Sequence, residues 1–442
     1  MEKKSYDAER ALLGVILMNS EKISDARAAL SPDSFSLQQH ALVFKNMCRA
    51  DDNDLAIDPS TVAHGSGMTP DNLDECQYLG LEKNSDDYIK IIQAGHKSRL
   101  IGQVAVQISQ LAKNEDSDIA LEKAKDLLDQ IQSKSEIITR TVTEVARSYL
   151  DTLEKRAELG DKIQGVPTGF ENIDKRLNGI QPGNLVIVAA RPSMGKSTYA
   201  LNIIEHAGIK TKLPSLVFTM EMTDEQLVEK IIANQGTVAL DLLQSGRVMS
   251  ESPEKVSVGV QMTNKAPVYI CERGGLTAQQ VRSVCLATKR KYGLGLVMVD
   301  YIGLMEGHGF NKTDQIAKIS LALKSLAKEL KVPVIALSQL NRKCDDRPNK
   351  RPVMSDLRDS GAIEQDADIV QFLYRDDQYK QEGEEPDNVG EVITAKYRMG
   401  KTGTDYLTWE GRYSRYRNMT TGEQADYSRA LEMKSNNQQG SY

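Results

Sequence analysis

The chain has 442 residues, 40 % hydrophobic and 27 % charged, with a formal net charge of −6. This composition excludes wholesale disorder and fibrous repeats, and at about 150 residues each it fits roughly two to three globular domains. The acidic balance excludes a surface that coats nucleic acid all over, and six Phe with one Trp exclude a broad base-stacking platform.

The longest apolar runs, Leu12–Met18 and Leu185–Ala190, fall far short of the roughly 18 residues of a membrane span. The mixed-charge start, Met1–Asp7, does not read as a signal peptide. Cys48, Cys76, Cys271, Cys285 and Cys344 are odd in number and never in CxxC spacing. They point to neither a disulfide framework nor a zinc site, and to a reducing cytosol. A cytoplasmic protein without a membrane partner is expected.

Residues 1–132 read as a helical interaction domain. Ala11, Leu12, Val15 and Ile16 recur at helical spacing, and Ser31-Pro32-Asp33 starts another helix. Residues 51–75 look like a loop, and a long helix is expected from Ser85 to Gln132. Residues 133–165 form a connector. Within it Val142, Val145, Tyr149, Leu150 and Leu153 give an amphipathic helix ended by Gly160. Spacing alone leaves open whether that helix docks on another subunit or packs on its own domain.

From residue 166 to 431 short β-branched runs alternate with helical patterns. The runs are Leu185–Ala190, Ser215–Thr219, Val268–Ile270, Leu296–Val299, Val332–Leu337, Ile369–Leu373 and Glu391–Ala395. That alternation predicts an α/β domain with a mostly parallel sheet and helices on both faces. Residues 432–442 are polar and are expected to be disordered.

The strongest chemical signal follows the first of these strands. Arg191, Pro192, Ser193, Met194, Gly195, Lys196, Ser197 and Thr198 form a loop ending in GKS where a helix begins. Backbone N–H groups of such a loop face phosphate oxygens. Lys196 would reach the β- and γ-phosphates, and the Ser197 hydroxyl would ligate Mg²⁺. Ala190 stands where the usual loop has Gly. Leu296–Asp300 is an apolar run ending in a carboxylate, which places Asp300 as the metal-side acid. Glu221, just beyond another strand, is a candidate to polarise the attacking water, or else a solvated loop glutamate. Gln339 is a candidate γ-phosphate sensor, or else a loop amide.

Residues 341–358 carry Arg342, Lys343, Arg347, Lys350, Arg351 and Arg358 against three acidic residues, a candidate contact for a phosphate backbone or a solvated face. Lys396 and Arg398 point the same way on an extended chain. Such a pair could reach a γ-phosphate from outside the subunit, or sit on an exposed hairpin.

Together these stretches resemble the replicative DnaB-type hexameric helicases, bacterial or phage. The resemblance rests on Gly165–Phe170, Ala190–Ser197, Met220–Met222, Val299–Ile302, Ala336–Arg342 and Ser355–Asp368, with a weaker likeness at Glu9–Gly14. It implies a RecA-like ATPase core using ATP and Mg²⁺, a linker helix docking on the neighbouring subunit, and a helical N-terminal collar. Six copies would encircle one strand of DNA, translocate 5′→3′ and unwind the duplex at the replication fork, with a primase and a helicase loader as partners.

By the same resemblance Glu221 is the catalytic base, and Gln339 couples the γ-phosphate to the DNA loops. Lys396 and Arg398 insert into the adjacent subunit's site. Arg358, Asp359 and Gly361, with Arg342, face the DNA backbone. Asp359 stands where Glu is usual and Ser197 where Thr is usual. The alternatives are a RecA- or RadA-like recombinase and a helicase-like adaptor that has lost catalysis. Ser355–Asp368 argues against the first, and retention of Lys196, Glu221, Asp300 and Arg398 against the second.

Overall fold

The computed structural model describes residues 2–439 apart from 54, 118, 121–122, 125–126, 129–140, 161, 308, 310 and 381–383. They fall into two units, Met1–Arg147 and Ser148–Tyr442. Among the described residues no helix is long and apolar enough to cross a membrane.

The first unit is helical. Glu2–Met18, Gln38–Asp52 and Ser85–Asn114 carry its core, in which Leu12, Leu13, Ile16, Val43, Phe44, Met47 and Ile92 are buried. The core also contains a carboxylate. Glu9 accepts from the Ser36 N–H at 2.8 Å and pairs with His40 Nδ1 at 2.8 Å. A Cβ on Gly14 would run into the Cys76 carbonyl, so glycine lets two helices touch.

Two expectations fail here. Residues 51–75 are not one loop but contain the helix Pro59–Ala63 and the start of Pro70–Gln77. Asp58 and Thr69 accept N–H groups of these helices, each followed by Pro at the first helical position. Residues that read as loop formers are therefore helix starts. The long helix stops at Asn114 because Glu115 turns extended. Much of the expected remainder lies outside the described residues.

The helix Val142–Leu159 occupies the connector, and Val142, Val145, Tyr149, Leu150 and Leu153 are all exposed on it. Gly160 follows with φ +57°, the left-handed conformation that ends helices.

The second unit is built on one sheet of nine strands. They are β1 (Leu185–Ala190), β2 (Ser215–Thr219), β3 (Val268–Glu272), β4 (Leu296–Asp300), β5 (Val334–Gln339), β6 (Ile369–Tyr374), β7 (Val389–Tyr397), β8 (Gly403–Glu410) and β9 (Arg415–Asn418). The order is β3-β2-β4-β5-β1-β6-β7-β8-β9. The first six are parallel. β1, β2 and β4 are buried along their whole length, as strands covered on both faces must be. One apolar cluster around Val186, Val188 and Met298 and another around Ile187, Val297 and Val299 fill the two faces.

The expected parallel sheet therefore holds for six strands. The remaining three, β7–β9, form an antiparallel meander on its edge. β8 and β9 mix polar and apolar residues and lack the continuous apolar run of the central strands. The tail also differs from expectation. Glu423 accepts from the Thr420 N–H at 2.8 Å and pairs with Arg417 at 2.7 Å, starting a helix, Thr421–Gln439, that runs through most of the stretch expected to be disordered.

Candidate nucleotide site

The carboxyl ends of β1, β2, β4 and β5 lie side by side, the edge where ligands bind in open α/β sheets. In the strand register Thr219 faces Asp300 and Ala190 faces Gln339. Every chemical group that follows these residues is thereby brought to one edge.

The loop from Arg191 to Gly195 joins β1 to the helix Lys196–Glu205. Ser193 and Gly195 both have positive φ, +66° and +84°. A Cβ on Gly195 would lie 2.9 Å from Tyr416 Oη and 3.0 Å from Trp409, so space as well as backbone demands glycine.

The loop is held from below. The Tyr416 hydroxyl donates to the Met194 carbonyl, and Arg375 Nη1 donates to the Ser193 carbonyl at 3.3 Å. Arg375 is fixed in turn by Asp377 at 2.8 Å and by the Trp409 ring, whose centroid lies 4.5 Å from its guanidinium carbon. Tyr416 and Trp409 from the meander, with Arg375 just after β6, thus support the candidate phosphate loop. No local pattern in the sequence marks them.

Lys196 Nζ lies 3.9 Å from Asp300 Oδ1 and 4.5 Å from the Tyr301 ring centroid. Burial pulls the Lys196 ammonium below its usual range, against the opposing fields of Asp300 and Glu221. A bound polyphosphate would reverse that pull, because it returns a countercharge to a desolvated cation. Asp300 is buried, and its Oδ1 has no hydrogen-bond partner among the described residues. An orphaned carboxylate oxygen beside the candidate phosphate loop, with Ser197 half-buried in the first turn of the helix that follows it, fits a hard divalent cation. Among the described residues no group of three His, Cys, Asp or Glu could hold a metal ion by itself. The remaining ligands would have to be nucleotide oxygens and water, as is usual for Mg²⁺.

Glu221 is exposed just past β2, where the Met220 N–H donates to the Asp300 carbonyl at 3.0 Å. Its charge acts on Lys196 and also on Lys230, a residue that reasoning from sequence missed. Lys230 sits on the helix Asp224–Gly236. Burial lowers its pKa, while Asp300 and Glu221 act to raise it. In sequence it looks like one more polar residue beside the buried Leu227 and Ile231. Gln339 is exposed at the end of β5.

Not every expected side chain turns toward phosphate. The Thr198 hydroxyl faces Ser414 Oγ at 3.4 Å inside the protein, and Met194 is buried in the core. The Arg191 guanidinium leaves the cradle to bond Asp345 and the Leu340 carbonyl. Pro192 and Ser193 are exposed.

Lys396 and Arg398 occupy a different place. Lys396 pairs with Val370, and Val370 with Ile187, which is toward the amino end of β1. Lys396 Nζ donates to the Glu364 carbonyl and Arg398 Nη2 to the Gln365 carbonyl, at the end of the helix Gly361–Asp366. Arg398 Nη1 is 3.7 Å from Asp368, whose Oδ2 accepts the N–H of Leu185, the first residue of β1. Within one chain the pair lies toward the opposite end of β1 from the phosphate loop.

The basic segment is partly consumed internally. Arg347 pairs with Asp356 at 2.6 Å, Arg351 with Glu391 at 2.6 Å, and Lys350 lies over the Tyr379 ring. Arg342 is exposed, and so is Gly361, where a Cβ would meet open space. The side chains of Arg358 and Asp359 lie outside the described residues.

Residues 165–418 match the DnaB-like helicase C terminal domain, and residues 1–94 match the DnaB-like helicase N terminal domain. The chain is 35 % identical over 432 residues to the replicative DNA helicase DnaC of Bacillus subtilis, covering 94 % of this chain and 95 % of that protein. It is 38 % identical over 447 residues to the replicative DNA helicase DnaB of Pasteurella multocida, covering 96 % and 94 %. A solved DnaB-like replicative helicase, described with its interactions with primase, superposes with a TM-score of 0.74 at 31 % identity. It covers 94 % of this chain and 100 % of its own. A second solved structure, an isolated ATPase domain, superposes with a TM-score of 0.60 at 36 % identity, covering 64 % and 100 %.

Proposed function

The chain belongs to the DnaB-like replicative DNA helicases, which hydrolyse ATP to unwind DNA, and we propose how its own residues divide that work. Lys196 and Lys230 neutralise the γ-phosphate, and Glu221 orients and polarises the attacking water. Ser197 and Asp300 would hold Mg²⁺, which would supply further neutralisation of the phosphate oxygens. Gln339 links the γ-phosphate to the segment that follows it. Lys396 and Arg398 complete the site of a neighbouring chain.

The observation that carries this reading is the placement of Lys196 and Arg398 toward opposite ends of β1. One chain cannot bring both to one phosphate. A head-to-tail ring can, because each interface then joins the phosphate loop of one copy to the cationic pair of the next. The family resemblance sets the number of copies at six, and on that ground we assign a homohexamer encircling single-stranded DNA. Residues 1–132 form its collar, 133–165 the linker whose exposed apolar face docks on the neighbour, and 166–431 the motor. Primase and a helicase loader are its partners, and the bacterial cytosol is its place of action.

Arg342, Arg358, Asp359 and Gly361 line the strand. Contacts to phosphates make binding sequence-independent and salt-sensitive. Loss of the γ-phosphate removes the charge that holds the trans pair, the interface relaxes, and the strand-facing segment moves in the 5′→3′ direction.

The test is unwinding of a forked duplex with ATP and Mg²⁺. A required 5′ tail, with activity lost in Lys196→Ala, is expected. Mixing inactive Lys196→Ala chains with inactive Arg398→Ala chains should restore ATPase at the interfaces that inherit both intact residues. No recovery on mixing would refute the trans assignment.

A further inference from the structure

The Arg191 guanidinium makes two bonds that bracket a short stretch of chain. Nη1 donates to the Leu340 carbonyl at 3.0 Å, and Nε donates to Asp345 Oδ2 at 2.9 Å. The Leu340 N–H in turn donates to the Ala190 carbonyl at 3.2 Å. Between the two anchors lies Arg342, exposed on the 3-10 turn Arg342–Asp346 that begins three residues after Gln339. The first residue of the phosphate loop thus clamps both ends of the stretch that presents Arg342.

Asp345 is a junction of three elements. Its other oxygen accepts from the Tyr379 hydroxyl at 2.7 Å, in the turn Asp376–Tyr379 that follows β6. That same turn anchors Asp377, which holds Arg375, the donor to the Ser193 carbonyl. Burial would raise the Asp345 carboxyl, but Tyr379 and Arg191 outweigh it and keep the group below its usual range. The carboxylate is therefore ionised at neutral pH, and its bond to Arg191 is a charge-assisted pair with directional geometry. Such a pair is stiffer than a neutral contact, so a shift of the phosphate loop carries the Arg342 turn with it.

We propose that the Arg191–Asp345 clamp is a coupling device, in which Asp345 is a positioning residue that ties nucleotide occupancy to the presentation of Arg342 to the DNA strand. The proposal rests on the functional reading above. It acts beside Gln339 and touches neither the nucleotide nor the strand. Its physical content is a reciprocal coupling free energy between the two sites.

The experiment compares ATP hydrolysis by the full chain with and without an oligo(dT) strand. In Asp345→Asn the stimulation by DNA is expected to fall at least fivefold. Unstimulated kcat and the KM for ATP should stay within twofold. Asp345→Glu should recover most of the stimulation, and Tyr379→Phe, which removes the hydroxyl donor to Asp345, should lose part of it. DNA affinity should drop only when a non-hydrolysable ATP analogue is bound. Normal stimulation in Asp345→Asn would overturn the proposal. So would a raised KM for ATP with an unchanged stimulation ratio, because that is mere support of the loop. If Asp345→Asn does not assemble, Tyr379→Phe decides by the same criteria. A native chain with no DNA-stimulated hydrolysis would instead refute the functional reading.

Discussion

Replacing Glu205 by Gln should abolish a pH dependence of stability that the native chain carries. Glu205 ends the phosphate-loop helix Lys196–Glu205 and is buried. Its Oε2 accepts from Asn234 Nδ2 and Gln235 Nε2, both at 2.6 Å, and its Oε1 from Asn202 Nδ2 at 3.2 Å. Burial pushes the carboxyl from its ordinary 4.5 up to about 8, although the three amides favour the anion. The unfolded chain releases this proton near 4.5, and the folded chain keeps it to about 8. Between those values the folded state holds one more proton, so stability falls as pH rises and levels off above 8.

One proton corresponds to about 1.4 kcal/mol per pH unit, and allowing for partial titration near 8 the loss from pH 6 to pH 8 is about 2 kcal/mol. At roughly 2 °C per kcal/mol for a domain of this size, that is about 4 °C in Tm. The assay is thermal unfolding of native chain and Glu205→Gln at pH 6, 7 and 8, read as the difference between the two. His206, whose pKa burial lowers, is present in both and cancels. The variant should gain about 4 °C on the native chain between pH 6 and pH 8. A difference that stays constant with pH would refute the reasoning, since the carboxyl would then titrate alike in both states.

Lys230→Ala should lower kcat for ATP hydrolysis at least tenfold while the assembly stays intact, because it removes a desolvated cation that feels the charges of Asp300 and Glu221; full activity in steady-state kinetics would exclude Lys230 from the site. Gly390→Ala places a Cβ against the ring of Tyr416, whose hydroxyl holds Met194 of the phosphate loop. Overpacking of this kind costs about 1–3 kcal/mol, so calorimetry should show a lower Tm, and nucleotide titration a weaker affinity. An unchanged affinity would mean that the meander does not support the loop.

The sequence alone determined those features whose physics is local. A strand buried on both faces must be a continuous apolar run, so β1, β2 and β4 were legible within a residue of their ends. The candidate phosphate loop was legible as a turn between such a strand and a helix, because the donors it would offer are consecutive backbone groups. Asp300 followed from an apolar run that ends in a carboxylate. For Glu221, Gln339 and the Lys396–Arg398 pair, position alone left an ordinary alternative open, and family resemblance supplied the proposed roles, because each looks like an ordinary polar residue in its own neighbourhood.

The tertiary structure decided everything that depends on partners distant in sequence. It turned Arg191 away from phosphate to meet Asp345, and brought Arg375, Trp409 and Tyr416 beneath the loop. It buried Lys230 within the field of Asp300 and Glu221 and spent Arg347 and Arg351 on internal ion pairs. It also put Arg398 at the start of β1, far along the strand from Lys196. A side chain's charge and size are written in the sequence. Which opposite charge or cavity it meets is fixed only when the sheet order brings strands from different parts of the chain together.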